Sequence, residues 1–371
     1  MFSLDNFYAI LHEHLLRPVG YNGLYFFPFG QVDKSTACYT KINQIVNTDS
    51  SVIFYDQEPI IPQIMDPVMG MFNRVKILGN SEHSSEKQRY CNEYGWKDWY
   101  YFFHGFAALD WYRDFEYMPL VDHQPSNVFI TFNNLVTKDR SYRLNLIAEL
   151  MEHDLLKVGA VACRLGDQHG TWKQELIDPN SKLSVDAKKL IYRHFTTLDK
   201  NLIVDHEKID GSFSAKFDIE LQQSAVWHVV TETVFYHNKL HLTEKVFKPI
   251  VAKRPFMLLG APGNLAYLKS YGFKTFDFWI DESYDNELNS ELRVKKIVTE
   301  LNKFKNLSTS NMTDLLQEMG SVTQWNFNHF YGEFRQLLIQ EMLDNYRNCL
   351  YQLEINHDHI NFKGVEKLLL K

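Results

Sequence analysis

Cysteine is scarce in this chain: four residues in 371, at Cys38, Cys91, Cys163 and Cys349. None forms a Cys-x-x-Cys pair, so neither a zinc site nor a redox dithiol is signalled. The usage fits a reducing compartment. A run of about 18 or more uninterrupted apolar residues is also missing, which excludes a membrane-spanning helix. Residues 1–20 mix Asp5, His12, Glu13 and His14 with apolar positions, unlike a secretory signal, and a cytoplasmic location is expected. Positive charge is in deficit, with 39 Lys and Arg against 46 Asp and Glu, a net charge of −7 and a pI near 6.1. A basic footprint over the whole protein is therefore excluded, and a nucleic-acid contact would need a local strip.

Several catalytic signatures are absent too. There is no Gly-x-x-x-x-Gly-Lys-Ser/Thr loop for a P-loop kinase, and no Gly-x-Gly-x-x-Gly after a strand for a dinucleotide oxidoreductase. No Gly-x-Ser-x-Gly elbow supports a hydrolase. No Asp-x-Asp occurs, which removes the usual tether between a divalent metal and a sugar-nucleotide diphosphate. Arg and Lys would have to neutralise such a diphosphate. Neither a repeat nor a low-complexity tract appears.

What the chain does have is an ordinary globular balance, 45% apolar and 23% charged, with 27 Phe, 20 Tyr and 7 Trp. Wholesale disorder is excluded, and the length suits two domains of roughly 150–200 residues. Around Phe7 to Leu16 the pattern reads as an amphipathic helix. Short apolar runs predict strands at Leu24–Phe29, Val52–Tyr55, Val75–Leu78, Trp99–Phe103, Val128–Phe132, Val158–Cys163, Val226–Val230, Phe256–Leu259 and Lys274–Phe278. Helical patterns lie between them, at Arg140–Leu156, Asp186–Leu198 and Glu244–Val251. Such alternation predicts an α/β protein with mostly parallel sheets. The Pro-containing stretch Pro119–Ser126 marks the expected boundary. The expected division is 1–122, 123–325 and a helical tail 326–371, with apolar periodicity over Trp325–Tyr351 that packs back. Two α/β domains in tandem predict a binding cleft at the C-terminal ends of the strands.

Four stretches carry candidate chemistry. In Val229–Gly263 a strand delivers Glu232 to its C-terminal edge, Thr243 is placed as an N-cap, and Glu244-Lys245 open a helix. Lysine in a first turn opposes the helix dipole, so an anion such as a diphosphate is one reading, and a plain helix start with a solvated charge is the other. In Ile130–Leu144 a strand runs into Asn133-Asn134 and a helix start bearing Arg140 and Arg143, either a phosphate-binding pair or a surface pair balancing nearby acids such as Asp139. Val52–Pro59 ends a strand in Asp56 and Glu58 before Pro59, placing a carboxylate for general-base work or simply making a polar turn. His104 follows an aromatic strand and reads as a proton carrier or a structural histidine. Trp111 and Tyr112 read as core. His357-Asp358-His359 looks like a metal tripod without structural context and reads as a surface accident.

Three of these stretches together resemble the GT-B-fold glycosyltransferases of the α-1,3-fucosyltransferase type and their bacterial and phage relatives. Thr243-Glu244-Lys245 with the preceding Glu232 is similar to the family's Thr-Glu-Lys helix start. Asp56-Gln57-Glu58-Pro59 is similar to its catalytic Glu-bearing strand end, and Arg140 or Arg143 fits its arginine-bearing helix start. The block reads Lys248-Pro249-Ile250 after the motif, unlike the fucosyltransferases and similar to a phage-associated branch with Asp-Gln-Glu-Pro. The resemblance implies two Rossmann-like domains facing each other across a cleft. It implies transfer of a sugar from a nucleoside-diphosphate sugar to an acceptor hydroxyl, inverting and metal-independent, with no further cofactor. Lys245, Arg140 and Arg143 would hold the diphosphate, Glu244 the ribose and Glu232 the sugar, while Glu58, with Asp56 and His104 nearby, takes the acceptor proton. The acceptor is a glycan or a hydroxymethylated base in phage DNA. The DNA alternative asks for a basic strip, for which Lys239, Lys248, Lys253 and Arg254 are the candidates. A non-catalytic nucleotide- or glycan-binding module is the alternative class.

Overall fold

The structure, a computed structural model, describes residues 4–25, 51–72, 74–117, 124–204 and 215–370. The chain forms two compact units, residues 1–110 with 332–371, and residues 111–331. Both are α/β, and each holds a four-stranded sheet whose strand pairs are all parallel.

In the first unit the strands are β1 (Asn22–Tyr25), β2 (Ser51–Phe54), β3 (Val75–Asn80) and β4 (Lys97–Tyr100), in the order β1-β2-β3-β4. Val52, Ile53 and Phe54 are all buried, as befits a parallel strand covered on both faces. Phe54 is accommodated by glycine on both flanking strands: a Cβ at Gly23 or Gly79 would stand 2.8 or 2.9 Å from its ring. Helix α1 (Leu4–Leu11) is followed by one π-helical turn at His12–Leu16, and Leu15 and Leu16 are buried. Helix α2 (Ser85–Tyr94) starts at Ser84, whose hydroxyl accepts from Lys87 N, and ends at Gly95 in the left-handed region at φ 69°. It lays Tyr90 and Cys91 on one sheet face with Ile53, Tyr55 and Leu78. Helix α3 (Phe103–Trp111) begins directly after β4, so the strand expected over Trp99–Phe103 is shorter than its aromatic run. The long C-terminal helix Glu333–Gln352 covers the other face. Met342 O accepts from Trp99 Nε1 at 3.0 Å and the Tyr346 ring lies 4.4 Å from the indole.

The second unit contains β5 (Asn127–Asn133), β6 (Gly159–Cys163), a short hairpin of β7 (Gly166–Asp167) and β8 (Gly170–Thr171), then β9 (Ala225–Thr231) and β10 (Phe256–Leu259). Its sheet order is β10-β9-β5-β6. Every residue of β9 and β10 is buried. Helices α4 (Tyr142–Glu152), α5 (Val185–Phe195), α6 (Phe247–Val251) and α7 (Ser290–Asn302) pack around it.

Two expectations are corrected. Lys274–Phe278 is not a strand, because side chains capture its backbone: Asn326 bonds both Lys274 N and Lys274 O, and Glu282 takes Phe276 N and the Thr275 hydroxyl. The tail is not one helix. It breaks at Gly332, so Gly320–Tyr331 belongs to the second unit and Glu333–Gln352 to the first. Much of the proposed Pro119–Ser126 boundary, and Cys38, lie outside the described residues. The three described cysteines are buried thiols, and burial pushes each up to about 12. Among the described residues no helix is long and apolar enough to cross a membrane.

Candidate functional site

The two sheets each gather their loops at the C-terminal strand edge, the place where a parallel sheet leaves backbone groups unpaired and side chains convergent. In the first unit the segments after β2, β3 and β4 are neighbours there. The β2 segment carries Asp56 and Glu58. Asp56 is 3% exposed. Its carboxylate accepts from the Tyr8 hydroxyl at 3.0 and 3.1 Å and from the Tyr101 hydroxyl. Burial pushes Asp56 up to about 6 despite both phenols and the nearby His104. His104 is buried, and its Nε2 lies 3.0 Å from Gln57 O. A carbonyl only accepts, so Nε2 carries the hydrogen. The proton-carrier reading therefore gives way to a clamp on the segment that bears Glu58.

That segment is tied further by a residue that belongs to no motif. Glu82, fully buried after β3, accepts Ile60 N at 2.7 Å and the Ser84 hydroxyl. The Tyr55 hydroxyl donates to Pro59 O and accepts from Ile61 N, and Asn80 donates to Tyr55 O. The loop is thus held at Tyr55, Asp56, Gln57, Pro59, Ile60 and Ile61, and Glu58 within it stays half-buried. Asp56 and His104 are buried, and Glu58 is the less buried of the three. A buried acid two residues after a strand, as Glu82 is, was the available signal, and nothing in its local pattern distinguishes it from a surface turn.

In the second unit, the segments after the adjacent strands β5 and β9 bear the basic candidates. Glu232 follows β9 and is fully buried. Its carboxylate accepts the Thr243 hydroxyl at 2.6 Å and the N–H groups of Thr243 and Thr233, both at 3.3 Å. Its place in the sugar-binding set is corrected to that of a brace, since a carboxylate enclosed by three internal donors has little left for a ligand. Thr243 stands at the N-cap position, yet its hydroxyl is spent on Glu232 and makes no cap bond, and the first turn, Glu244–Val246, is 3₁₀. Lys245 extends from that turn with its side chain about one-third exposed. Its ammonium donates to the Thr243 hydroxyl at 3.1 Å and to Glu244 at 3.2 Å. Glu244 itself is buried.

The arginine pair separates. Arg143 is 4% exposed, and its guanidinium donates to Leu135 O at 2.9 Å, Thr231 O at 2.9 Å and Glu232 O at 3.1 Å. It stitches the β5 and β9 segments together, and this internal role replaces the phosphate contact expected of it. Tyr142 adds a hydroxyl bond to Glu232 O at 2.6 Å and stacks on Phe235 at 3.8 Å. Arg140 is half-buried at the end of the 3₁₀ turn Lys138–Arg140. Beside it His237 lies 3.5 Å from Asp139 and holds that carboxyl below its ordinary range. Asn133 is buried, donating to Thr131 Oγ1 and Ala162 O, both at 3.3 Å. Two further acids shape this loop. Asp167 accepts Val136 N, Thr137 N, the Thr137 hydroxyl and His169 N. Burial alone would raise Asp167, and these donors bring it below its ordinary value. Glu175 accepts Lys138 N at 2.8 Å, where Lys138 sits in the left-handed region at φ 55°.

The basic strip is corrected as well. Lys239 and Arg254 are buried, Arg254 donating to Gln223 O, and Lys248 donates to Lys216 O. Tyr112 is core as expected, with Trp111 half-buried. His357 and His359 bond the carbonyls of Ile355 and Pro18, and among the described residues no group of three His, Cys, Asp or Glu is arranged for a metal ion. Comparison with protein-family models, with curated proteins and with solved structures found no match to the chain.

Proposed function

We propose that the protein is a sugar-nucleotide-dependent glycosyltransferase of GT-B type, with the donor on the second unit and the acceptor on the first. The observation that carries this reading is Lys245: a partly exposed ammonium on a braced turn at the C-terminal edge of a parallel sheet, with Arg140 on the segment after the neighbouring strand. Such preset cations are suited to a diphosphate whose charge grows as it leaves. Removing one contact of that kind costs on the order of 2.7–4 kcal/mol in other enzymes. Glu232, Thr243 and Glu244 hold Lys245 in place, and Arg143 fixes the segments that carry it and Arg140. On the first unit Glu58 accepts the proton of the acceptor hydroxyl as that oxygen attacks the anomeric carbon. The bond to the diphosphate breaks in the same displacement, with inversion. The burial of Lys239 and Arg254 favours a glycan over DNA as acceptor.

The test is mass spectrometry of the purified protein with UDP-, GDP- and ADP-sugars, alone and with glycan acceptors. Donor hydrolysis or transfer is expected from the native protein. Lys245→Met is expected to weaken nucleoside-diphosphate binding at least tenfold, and Glu58→Gln to abolish transfer while leaving that binding in place. Nucleotide binding with no turnover on any donor would support the non-catalytic module instead, and no nucleotide binding at all ends the transferase reading and leaves only a glycan-binding module.

A further inference from the structure

A groove of the first unit lies away from the candidate site residues. It has a volume of about 710 Å³ and runs along the free edge of β4, between α2 and the long C-terminal helix. That volume falls in the range of about 300–1,000 Å³ usual for ligand sites. Five of its lining side chains are amides, beside His83, Lys97, Asp98 and Glu341. Gln88 and Asn92 come from α2, one helical turn apart. Asn345, Asn348 and Gln352 come from the long helix, where with Glu341 they recur at every third or fourth residue and so form one stripe. Eleven helical rises from Glu341 to Gln352 make that stripe about 16 Å long.

Among the described residues no internal side-chain hydrogen bond engages the amides of Gln88, Asn92, Asn348 or Gln352. Asn345 is different: it donates to Tyr100 O at 2.9 Å. The Cys349 thiol donates to Asp98 O at 3.3 Å.

These details decide what the groove fits. Trp96 and Tyr100 are each 4% exposed, so no broad apolar face greets a lipid or a hydrophobic peptide. An added strand is disfavoured because the outward carbonyls of Asp98 and Tyr100 are already taken. Charge is balanced: Lys97 is in the wall with Asp98 and Glu341, and Asp98 pairs with Lys87 at 2.9 Å. A polyanion would find no cationic cluster. What remains is an uncharged ligand that donates and accepts at the same atoms along an extended path. Amides present both functions, and hydroxyls answer both. We infer that this groove binds a neutral saccharide chain, several sugar units long.

The inference does not depend on glycosyl transfer, and its test is one of binding alone. The full chain is probed on an array of neutral oligosaccharides, and hits are titrated by calorimetry. At least one neutral oligosaccharide is expected to bind, and the double variant Asn92→Ala/Asn348→Ala to bind it about tenfold more weakly or worse. Both positions are exposed on helices, so the melting temperature should hold. Gln88→Ala/Gln352→Ala provides a second, independent loss. Failure of every neutral saccharide to bind, equal affinity in both double variants, or competition by heparin or an extended peptide at these residues would overturn the inference. Saccharide binding without any nucleotide binding would keep it while removing the proposed transfer activity.

Discussion

The two strand edges solve the same problem with buried charge of opposite sign. In the first unit, the segment after β2 is tied down by acids: Asp56 takes two phenolic hydroxyls, and Glu82 takes Ile60 N and the Ser84 hydroxyl. In the second unit, the principal tie is a guanidinium, Arg143, donating into three carbonyls, with Glu232 as a supplementary acceptor. Both edges leave backbone groups of both kinds. After β2, Glu82 takes Ile60 N, while Asn80, His104 and the Tyr55 hydroxyl serve the carbonyls of Tyr55, Gln57 and Pro59. After β5 and β9, Arg143 serves the carbonyls of Leu135, Thr231 and Glu232, while Asp167 and Glu175 take Val136 N, Thr137 N and Lys138 N. Each edge also carries a less buried side chain of the same charge as its principal brace: Glu58 beside Asp56 and Glu82, and Lys245 beside Arg143, where Glu244 and Thr243 hold the ammonium.

This contrast can be broken at four points, taken in order of expected size. Arg143→Met should cost most, about 3 kcal/mol or more, because Leu135 O and Thr231 O lose their side-chain donor in a buried site; urea unfolding of the variant would measure it, and a loss below 1 kcal/mol would show that the stitch is dispensable. Asp56 comes next and differs in kind. Its native value of about 6 stands above its unfolded value, so its contribution is complete below the unfolded value of 3.8 and disappears as pH rises through about 6. The span corresponds to about 3 kcal/mol. Asp56→Asn should therefore flatten the fall in stability between pH 4 and 7, read from urea midpoints across that range; an unchanged slope would detach Asp56 from it. No such pH dependence is expected from the guanidinium brace.

Glu232→Gln should cost about 1–2 kcal/mol, since the amide retains one acceptor for Thr243 but loses the charge-assisted bond. Hydrogen exchange at Thr233 and Thr243 would locate the loosening, and protection equal to the native protein would deny the brace. Lys245→Met should change stability least, by under about 1 kcal/mol, as expected for a partly exposed pair. Its effect belongs to nucleotide titration, and a melting point lowered by many degrees would mean that Lys245 is structural.

Much of the fold was legible. The β-branched and aromatic runs at Val52, Val75, Val128, Val226 and Phe256 became strands because a parallel sheet covered on both faces demands continuous apolar sequence. Lys274–Phe278 carried a similar signal and failed, because Asn326 and Glu282 reach its backbone from distant positions. The site was legible by residue type and not by role. Arg140 and Arg143 look alike at a helix start, yet only burial among carbonyls reveals that one of them is internal. Asp167 and Glu175, which set the loop holding Arg140, give no local sign of their partners, which lie some thirty positions upstream.

By itself, then, the sequence determined the alternation of strands and helices, the parallel α/β class and the strand ends at which chemistry-bearing residues stand. Those properties depend on periodicity and on local backbone preference, which a chain carries wherever it folds. Which acid or arginine is spent on the interior was decided only by tertiary structure. So was the meeting of two amide stripes from α2 and the long C-terminal helix beside β4. A hydrogen bond needs its partner within about 3 Å, and for Arg143 and Thr231, as for Asn345 and Tyr100, that partner comes from a remote part of the chain.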